Sequence, residues 1–234
     1  MSYEQMQNNQ VFLTGTIVDE AQFSHEIMGE KFYDVSISVK RLSGQEDIIP
    51  LTISERIMQE NSFEIGNLIG VNGQFRSYNK LIDNHSKLVL RVFVRSLCEP
   101  DENNPNQIEI EGFVCKPPVY RTTPFKREIA DLLLAVNRAY NKSDYIPCIA
   151  WGRNARFAKN LTVGEKIAIA GRIQSREYQK RISDDDVKIM TAYEVSISKL
   201  AASANAESFD ADREFEFLTE GADAHFTLGE RTNY

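Results

Sequence analysis

Apolar and polar positions alternate along much of this chain with a period of two, the spacing of strands that bury one face. Val35, Ile37 and Val39 alternate with Ser36 and Ser38, and Leu132, Leu134 and Val136 keep the same phase further on. Late strands are predicted over Leu88 to Val94 and Met190 to Ile197. Between Tyr145 and Trp151 two phases separate: Tyr145, Pro147, Ile149 and Trp151 on one, Ile146, Cys148 and Ala150 on the other. The second phase is the more uniformly apolar and is the predicted core face. One segment breaks the alternation: Arg153 to Asn160 carries Ala155, Phe157 and Ala158, which with Leu161 offer apolar contacts at helical spacing.

The pattern occurs twice. Asn9-Gln10-Val11, Gly15, Asp34-Val35, Val39, Arg41 and Pro50 fall on Asn106-Gln107-Ile108, Gly112, Asp131-Leu132, Val136, Arg138 and Pro147, each 97 positions later. Gly66 and Gly73 fall on Gly164 and Gly171, one residue further along. Each copy has five short strands with a helix between the third and fourth, an order that fits the OB-fold, a small Greek-key barrel. The expected architecture is therefore all-β: two tandem OB-folds, each a five-stranded Greek-key barrel with a short helix, and a disordered acidic C-terminal tail. The predicted boundaries are 1–99 for the first fold, 100–105 for a polar, proline-bounded linker, 106–200 for the second fold and 201–234 for the tail. A copy of about 95 residues is long enough to bury its own core.

Charge divides the copies. Residues 1–105 hold 9 Lys+Arg against 15 Asp+Glu, residues 106–200 hold 16 against 11, and residues 201–234 hold 2 against 8. The whole chain is acidic, with a net charge of −7, yet the field at the contacting face is what an anionic partner meets. The second copy is the basic one. Its stretches Tyr145 to Arg153 and Val163 to Tyr178 also bring Tyr145, Trp151 and Tyr178 together with Arg153, Arg172 and Arg176. Stacking on a ring contributes about 1–3 kcal/mol per base whatever the sequence, and Arg or Lys pairing with phosphate releases counterions. Large rings also fill cores; the phase shared by Tyr145 and Trp151, opposite the uniformly apolar one, favours the surface.

These stretches, with Asn106 to Gly112, Tyr120-Arg121-Thr122-Thr123-Pro124-Phe125 and Leu134-Ala135-Val136-Asn137-Arg138, resemble the bacterial single-stranded-DNA-binding protein family over about Asn106 to Leu200. The resemblance implies four base-stacking positions, Tyr140, Tyr145, Trp151 and Tyr178. The candidate phosphate partners around them are Arg121, Arg138, Lys142, Arg153, Arg172 and Arg176. At the corresponding positions the first copy has Ser43, Ile48 and Ser54, with Tyr78 set beside Tyr178, and is degenerate. The resemblance further implies a homodimer holding four OB-folds, and an acidic tail whose tip recruits replication and repair proteins. The tip differs here, since Leu228 to Tyr234 lacks consecutive aspartates and a terminal proline-phenylalanine; Glu214 to Leu218 is the alternative docking segment, and a plain solvated tail the other reading.

Chemistry other than binding finds little support. His25, His85 and His225 lie in different regions, no glycine loop cradles phosphate, and Asp184-Asp185-Asp186 reads as a polar hairpin loop. The expectation is no catalytic site, no metal and no cofactor. Cys98, Cys115 and Cys148 are odd in number and unpaired in spacing, which points to buried thiols in a reducing cytoplasm. Met1 to Gln10 has neither a basic start nor an apolar core, and no run approaches a membrane span, so a cytoplasmic, nucleoid-associated protein is expected. The first copy is either a scaffold completing an oligomer or a weak DNA surface built on Phe32, Tyr33, Phe75 and Tyr78, with core and hairpin packing the other reading of those four rings; Arg76, Lys80, Arg91 and Arg95 are its candidate phosphate contacts. The expected function is sequence-independent coating of single-stranded DNA in replication, recombination or repair. The alternative is a protein-docking OB-fold module of replication restart or of a mobile element, separable by its weak, salt-insensitive binding of oligo-dT.

Overall fold

The computed structural model describes residues 7–59, 62–82, 85–181 and 187–203. Met1 to Met6, the Asp184 to Asp186 run and residues 204–234, with the Glu214 to Leu218 segment, lie outside the described residues. In chain order the elements are β1 (Asn9–Ile17), β2 (Gln22–Ile27), β3 (Glu30–Lys40), β4 (Glu46–Ser54), α1 (Glu55–Met58), β5 (Leu68–Ile82) and β6 (His85–Cys98). The set then recurs as β7 (Asn106–Val114), β8 (Val119–Thr122), β9 (Glu128–Arg138), a 3-10 turn (Ala139–Asn141), β10 (Lys142–Trp151), α2 (Arg153–Ala158), β11 (Lys166–Arg181) and β12 (Val187–Ala202).

Pairing closes each set into a barrel. β1 pairs with β3, β3 with β4, β4 with β6 in parallel, β6 with β5, and β5 returns to β1. β7, β9, β10, β12 and β11 close in the same circuit. The parallel contacts are short, Leu51 opposite Val92 and Cys148 opposite Val195, yet they seal each ring. Both barrels are OB-folds.

The interiors follow the alternation. Leu13, Ile37, Ile49, Leu51 and Phe75 fill the first barrel and Ile108, Leu132, Leu134, Ile146 and Ile173 the second, all at most 1% exposed. Glycine is required where the barrel wall bends: a Cβ on Gly171, at the bulge in β11, would overlap the Ser196 carbonyl oxygen of β12. Beyond the equivalent bulge of β5, the Asn9 side chain replaces a strand. Its Nδ2 donates to the Phe75 carbonyl at 2.7 Å and its Oδ1 accepts the Phe75 N–H at 2.9 Å, and Asn106 treats Ile173 identically, at 2.7 and 2.9 Å.

The barrels are joined through their first strands. β1 pairs antiparallel with β7 from Asn9 opposite Ile110 to Leu13 opposite Asn106, which makes one 12-stranded sheet. The connecting segment is pinned to β1: Asp101 N–H donates to Thr14 Oγ1, and Thr14 N–H to the Pro105 carbonyl, both at 2.8 Å.

Three details depart from the sequence-based expectation. Each copy has six strands rather than five, because β2 and β8 hairpin onto β3 and β9 at the two edges of the sheet, so the helix falls between the fourth and fifth. All six residues of β2 are exposed, and a strand with no buried face leaves no alternation to detect. The late strands extend to 14 and 16 residues because their polar hairpin arms continue past the apolar stretch. Helix α2 ends at Ala158; Ala155, Ala158 and Leu161 are buried as expected, but Phe157 is 44% exposed.

Candidate nucleic-acid interface

Strand phase and register decide which side chains meet. On β10 the phase of Ile146, Cys148 and Ala150 enters the core, which turns Tyr145, Pro147, Ile149 and Trp151 to the outer face. On β11 Ile173 points in, so Arg172, Gln174, Arg176 and Tyr178 point out, opposite Ser196, Glu194, Ala192 and Met190 of β12. Arg121 of β8 reaches the same face, where its guanidinium holds Asp131 at 2.8 Å. Six of the ten predicted residues therefore share one surface: Tyr145, Trp151, Tyr178, Arg121, Arg172 and Arg176.

The ring at position 151 depends on one extra residue. β4 ends at Ser54, whose hydroxyl accepts the Ile57 N–H at 3.4 Å and caps α1. Register places Trp151 at the equivalent strand end, since Phe32 faces Ser54 and Ile129 faces Trp151. In the second barrel Gly152 intervenes, at φ 53° and ψ −117°, and takes the cap position while its N–H bonds the Glu128 carbonyl at 2.9 Å. A positive φ of this kind suits glycine. Relieved of capping, residue 151 presents an indole that is 36% exposed.

Tyr145 is half-buried and packs on a small outer cluster of Cys115, Leu133 and Ala135, so it combines packing with a face toward solvent. Ile149 is fully buried although it shares the outer phase. Arg176 lies over the Tyr178 ring, 5.7 Å from its centroid, and its buried Nε has no hydrogen-bond partner among the described residues. Burial lowers the Arg172 pKa, Arg41 adds repulsion, and Asp47 at 3.5 Å opposes both.

The other four predicted residues lie elsewhere. Arg138 and Lys142 sit at the ends of β9 and β10 on the opposite phase, where Arg138 pairs with Asp144 at 3.2 Å. Arg153 opens α2 and is exposed. Tyr140 lies in the 3-10 turn, and its side chain is outside the described part.

Two corrections concern the first barrel. Tyr78 is not the counterpart of Tyr178: the bulges at Gly73 and Gly171 and the cross-barrel serines Ser77 and Ser175 set Tyr78 on Arg176 and Lys80 on Tyr178. All four positions expected to stack are thus non-aromatic in the first copy, as Ser43, Ile48, Ser54 and Lys80. Phe75, a candidate for a DNA surface there, is fully buried core.

Sequence reasoning missed a clasp across the junction. Asp47 Oδ1 accepts the Ser175 N–H at 2.7 Å and its Oγ–H at 3.1 Å, while Arg41 holds the same carboxylate at 2.5 and 2.6 Å. Asp144 Oδ1 accepts the Ser77 N–H at 2.7 Å, and Ser77 Oγ accepts the Tyr145 N–H at 2.7 Å. The signal was present, because Arg41, Asp47 and Ser77 recur as Arg138, Asp144 and Ser175.

No group of three or more His, Cys, Asp or Glu side chains fit for a metal occurs among the described residues, and no helix there is long and apolar enough to cross a membrane. Residues 105–201 match the model of the Single-strand binding protein family. The chain is 35% identical over 83 residues to single-stranded DNA-binding protein 1 of Staphylococcus aureus, covering 32% of this chain and 50% of that one. It is 34% identical over 83 residues to single-stranded DNA-binding protein 1 of Streptococcus pyogenes, covering 64% of that protein. The chain thus spans about half the length of the curated relatives it matches. Both barrels superpose on the crystal structure of the wild-type single-stranded DNA binding protein from Thermus aquaticus, with a TM-score of 0.66 and 22% identity over 86% of this chain and 95% of that one. That likeness carries the tandem fold, and the sequence similarity to the single-strand binding protein family lies in the second barrel, over residues 105–201.

Proposed function

We propose that this protein binds and coats single-stranded DNA without sequence preference, in replication, recombination or repair, mainly through the outer face of the second barrel. The observation that carries the proposal is the gathering of Tyr145, Trp151 and Tyr178 with Arg121, Arg172 and Arg176 on one side of one sheet. Rings accept any base and guanidiniums accept any phosphate, so this surface suits a strand of any composition. Tyr140, Arg138, Lys142 and Arg153, which lie off that face, are proposed as further contacts on the grounds of the sequence alone. In this reading residues 1–99 are a first OB-fold degenerate at the stacking positions, residues 106–200 the main binding domain, 100–105 the connection between them, and an acidic tail follows from residue 201.

A homodimer of four barrels, recruitment of replication or repair proteins through the tail, and a cytoplasmic, nucleoid-associated setting complete the proposal, supported by the family match. Titration of the full chain with oligo-dT at several salt concentrations tests the core of it. Tight binding with a steep negative salt dependence is the expected result; weak, salt-insensitive binding would instead favour a protein-docking module. Light scattering at micromolar concentration tests the dimer, and a mass near 26.7 kDa would exclude it.

A further inference from the structure

The first barrel lacks rings at the four expected positions, yet its outer face is aromatic. His25 of β2 stacks on Phe32 of β3, with centroids 4.9 Å apart and planes at 11°. Phe32 meets Phe93 of β6 at 5.7 Å, and Arg76 of β5 lies over Phe93, 4.0 Å from its centroid. The row crosses β4, where the outward residues are the small Thr52 and Ser54, which lets Phe32 and Phe93 meet above them. Ser54 is the counterpart of Trp151, and the counterparts of Phe32 and Phe93 are Ile129 and Ser196. The two barrels thus place rings on the same face but on different strands. Comparison of the repeats position by position sees only the loss.

Packing alone does not account for this row. Phe32 and Phe93 are half-buried and stand outside the core cluster, which is filled from the other side by Phe75 and Val92. Unsatisfied donor atoms lie beside them: Arg76 Nε and Arg91 Nε are both buried and lack hydrogen-bond partners among the described residues, although Arg76 Nη2 donates to Gln74 Oε1 at 2.8 Å and Arg91 pairs with Asp34 at 3.2 Å. Arg76 also stands close to Arg138 of the second barrel and to Arg95, with Asp144 as the nearest opposing charge. Burial and then repulsion from Arg138 bring its pKa down to about 10. A cluster of cations with one carboxylate among them is short of negative charge. It lies where β5 abuts β10, next to Tyr145, whose N–H bonds Ser77.

We infer that the outer face of the first barrel is a second platform for single-stranded nucleic acid, carrying bases on Phe93, Phe32 and His25. The strand crosses onto it from the second barrel through a phosphate site formed by Arg76, Arg95 and Arg138. This inference rests on the proposed single-strand binding and extends it to a surface with its own chemistry.

The test uses the full chain and Trp151 fluorescence, which reports the second barrel. An oligo-dT of about 10 nucleotides covers roughly one barrel and one of about 35 spans both. In the double variant Phe93→Ala with Arg76→Gln, affinity for the short strand stays unchanged, affinity for the long strand falls about tenfold or more, and the occluded length shortens. The single variant Phe93→Tyr, which keeps a ring, binds the long strand as the wild type does. Unchanged affinity and occluded length on the long strand would overturn the inference. Equal loss at both lengths would also overturn it, since damage to the second barrel would then be the cause. If neither strand binds the wild type, the proposed function itself falls, a result distinct from either.

Discussion

Asp47 and Asp144 hold equivalent places in the two barrels, and each carboxylate crosses the junction to take a serine N–H of the other barrel at 2.7 Å. Their surroundings are unlike. Asp47 is opposed by burial, but hydrogen bonds from Arg41 and Ser175 overcome it and hold the carboxyl below its ordinary value. At Asp144 burial prevails over Ser77, Arg138 and Arg76, the carboxyl is raised, and its Oδ2 has no hydrogen-bond partner among the described residues. Replacing Asp47 by Ala strips Arg41 and Arg172 of their counter-charge. The expected loss is about 3–5 kcal/mol in urea denaturation, the range for breaking a buried pair. Asp144→Asn, which keeps an acceptor for Ser77, costs clearly less; equal costs would refute the asymmetry.

The same contrast appears with pH. A lowered folded-state pKa adds stability above the ordinary carboxylate value of 3.8, which is lost as pH falls through the folded value; a raised one costs stability near neutrality, and the cost is relieved as pH falls. Wild type therefore gains stability relative to Asp144→Asn as the pH is lowered from 7 toward 4. Relative to Asp47→Asn it loses stability below about 3.8. Denaturation midpoints across that range check both signs.

Trp151 is the only tryptophan, so intrinsic emission reports one site. Oligo-dT is expected to quench it, and Trp151→Ala to weaken binding by about 1–3 kcal/mol. Emission unchanged at saturating DNA would mean that no base reaches the indole.

Gly152→Ala tests why the ring is there. A side chain at φ 53° is strained and costs about 1 kcal/mol or more. Because Gly152 sets the strand end, quenching by oligo-dT should fall in the folded variant. Full quenching would show that the ring is placed by other contacts.

Arg176→Ala removes a guanidinium that touches Tyr178 and bridges no carboxylate in the described structure, so it reads phosphate pairing cleanly. The slope of log affinity against log salt should flatten by about 0.7 for each phosphate that the variant no longer neutralises, equally for all homopolymers. Arg172→Ala should also lower stability, since Arg172 pairs with Asp47. A base-dependent loss at Arg176 would contradict coating without sequence preference.

The barrels were legible because Val35, Ile37 and Val39, and again Ile146, Cys148 and Ala150, alternate with a clear phase, and the repeat made each copy a check on the other. The outer face of the second barrel was legible for the same reason. What escaped had no period to betray it. β2 is exposed at every residue, and the burial of Ile149 depends on neighbours from other strands. The tie of Arg138 to Asp144 escaped because it forms only at the end of the barrel. Phe93 was invisible because its counterpart is Ser196, and rings on β3 and β6 become neighbours only when Ser54 and Thr52 leave room between them.

The pairing of β1 with β7 locks two barrels of one chain into a single sheet whose halves no longer match. A pair of identical subunits related by a twofold axis offers the same arrangement to a strand laid across it in either sense. Here the sense matters: a strand running with its 5′ end over Trp151 and its 3′ end over Phe93 meets a different order of groups from its reverse. The chain thus carries a built-in polarity, and a molecule with distinguishable ends has two inequivalent ways to lie on it.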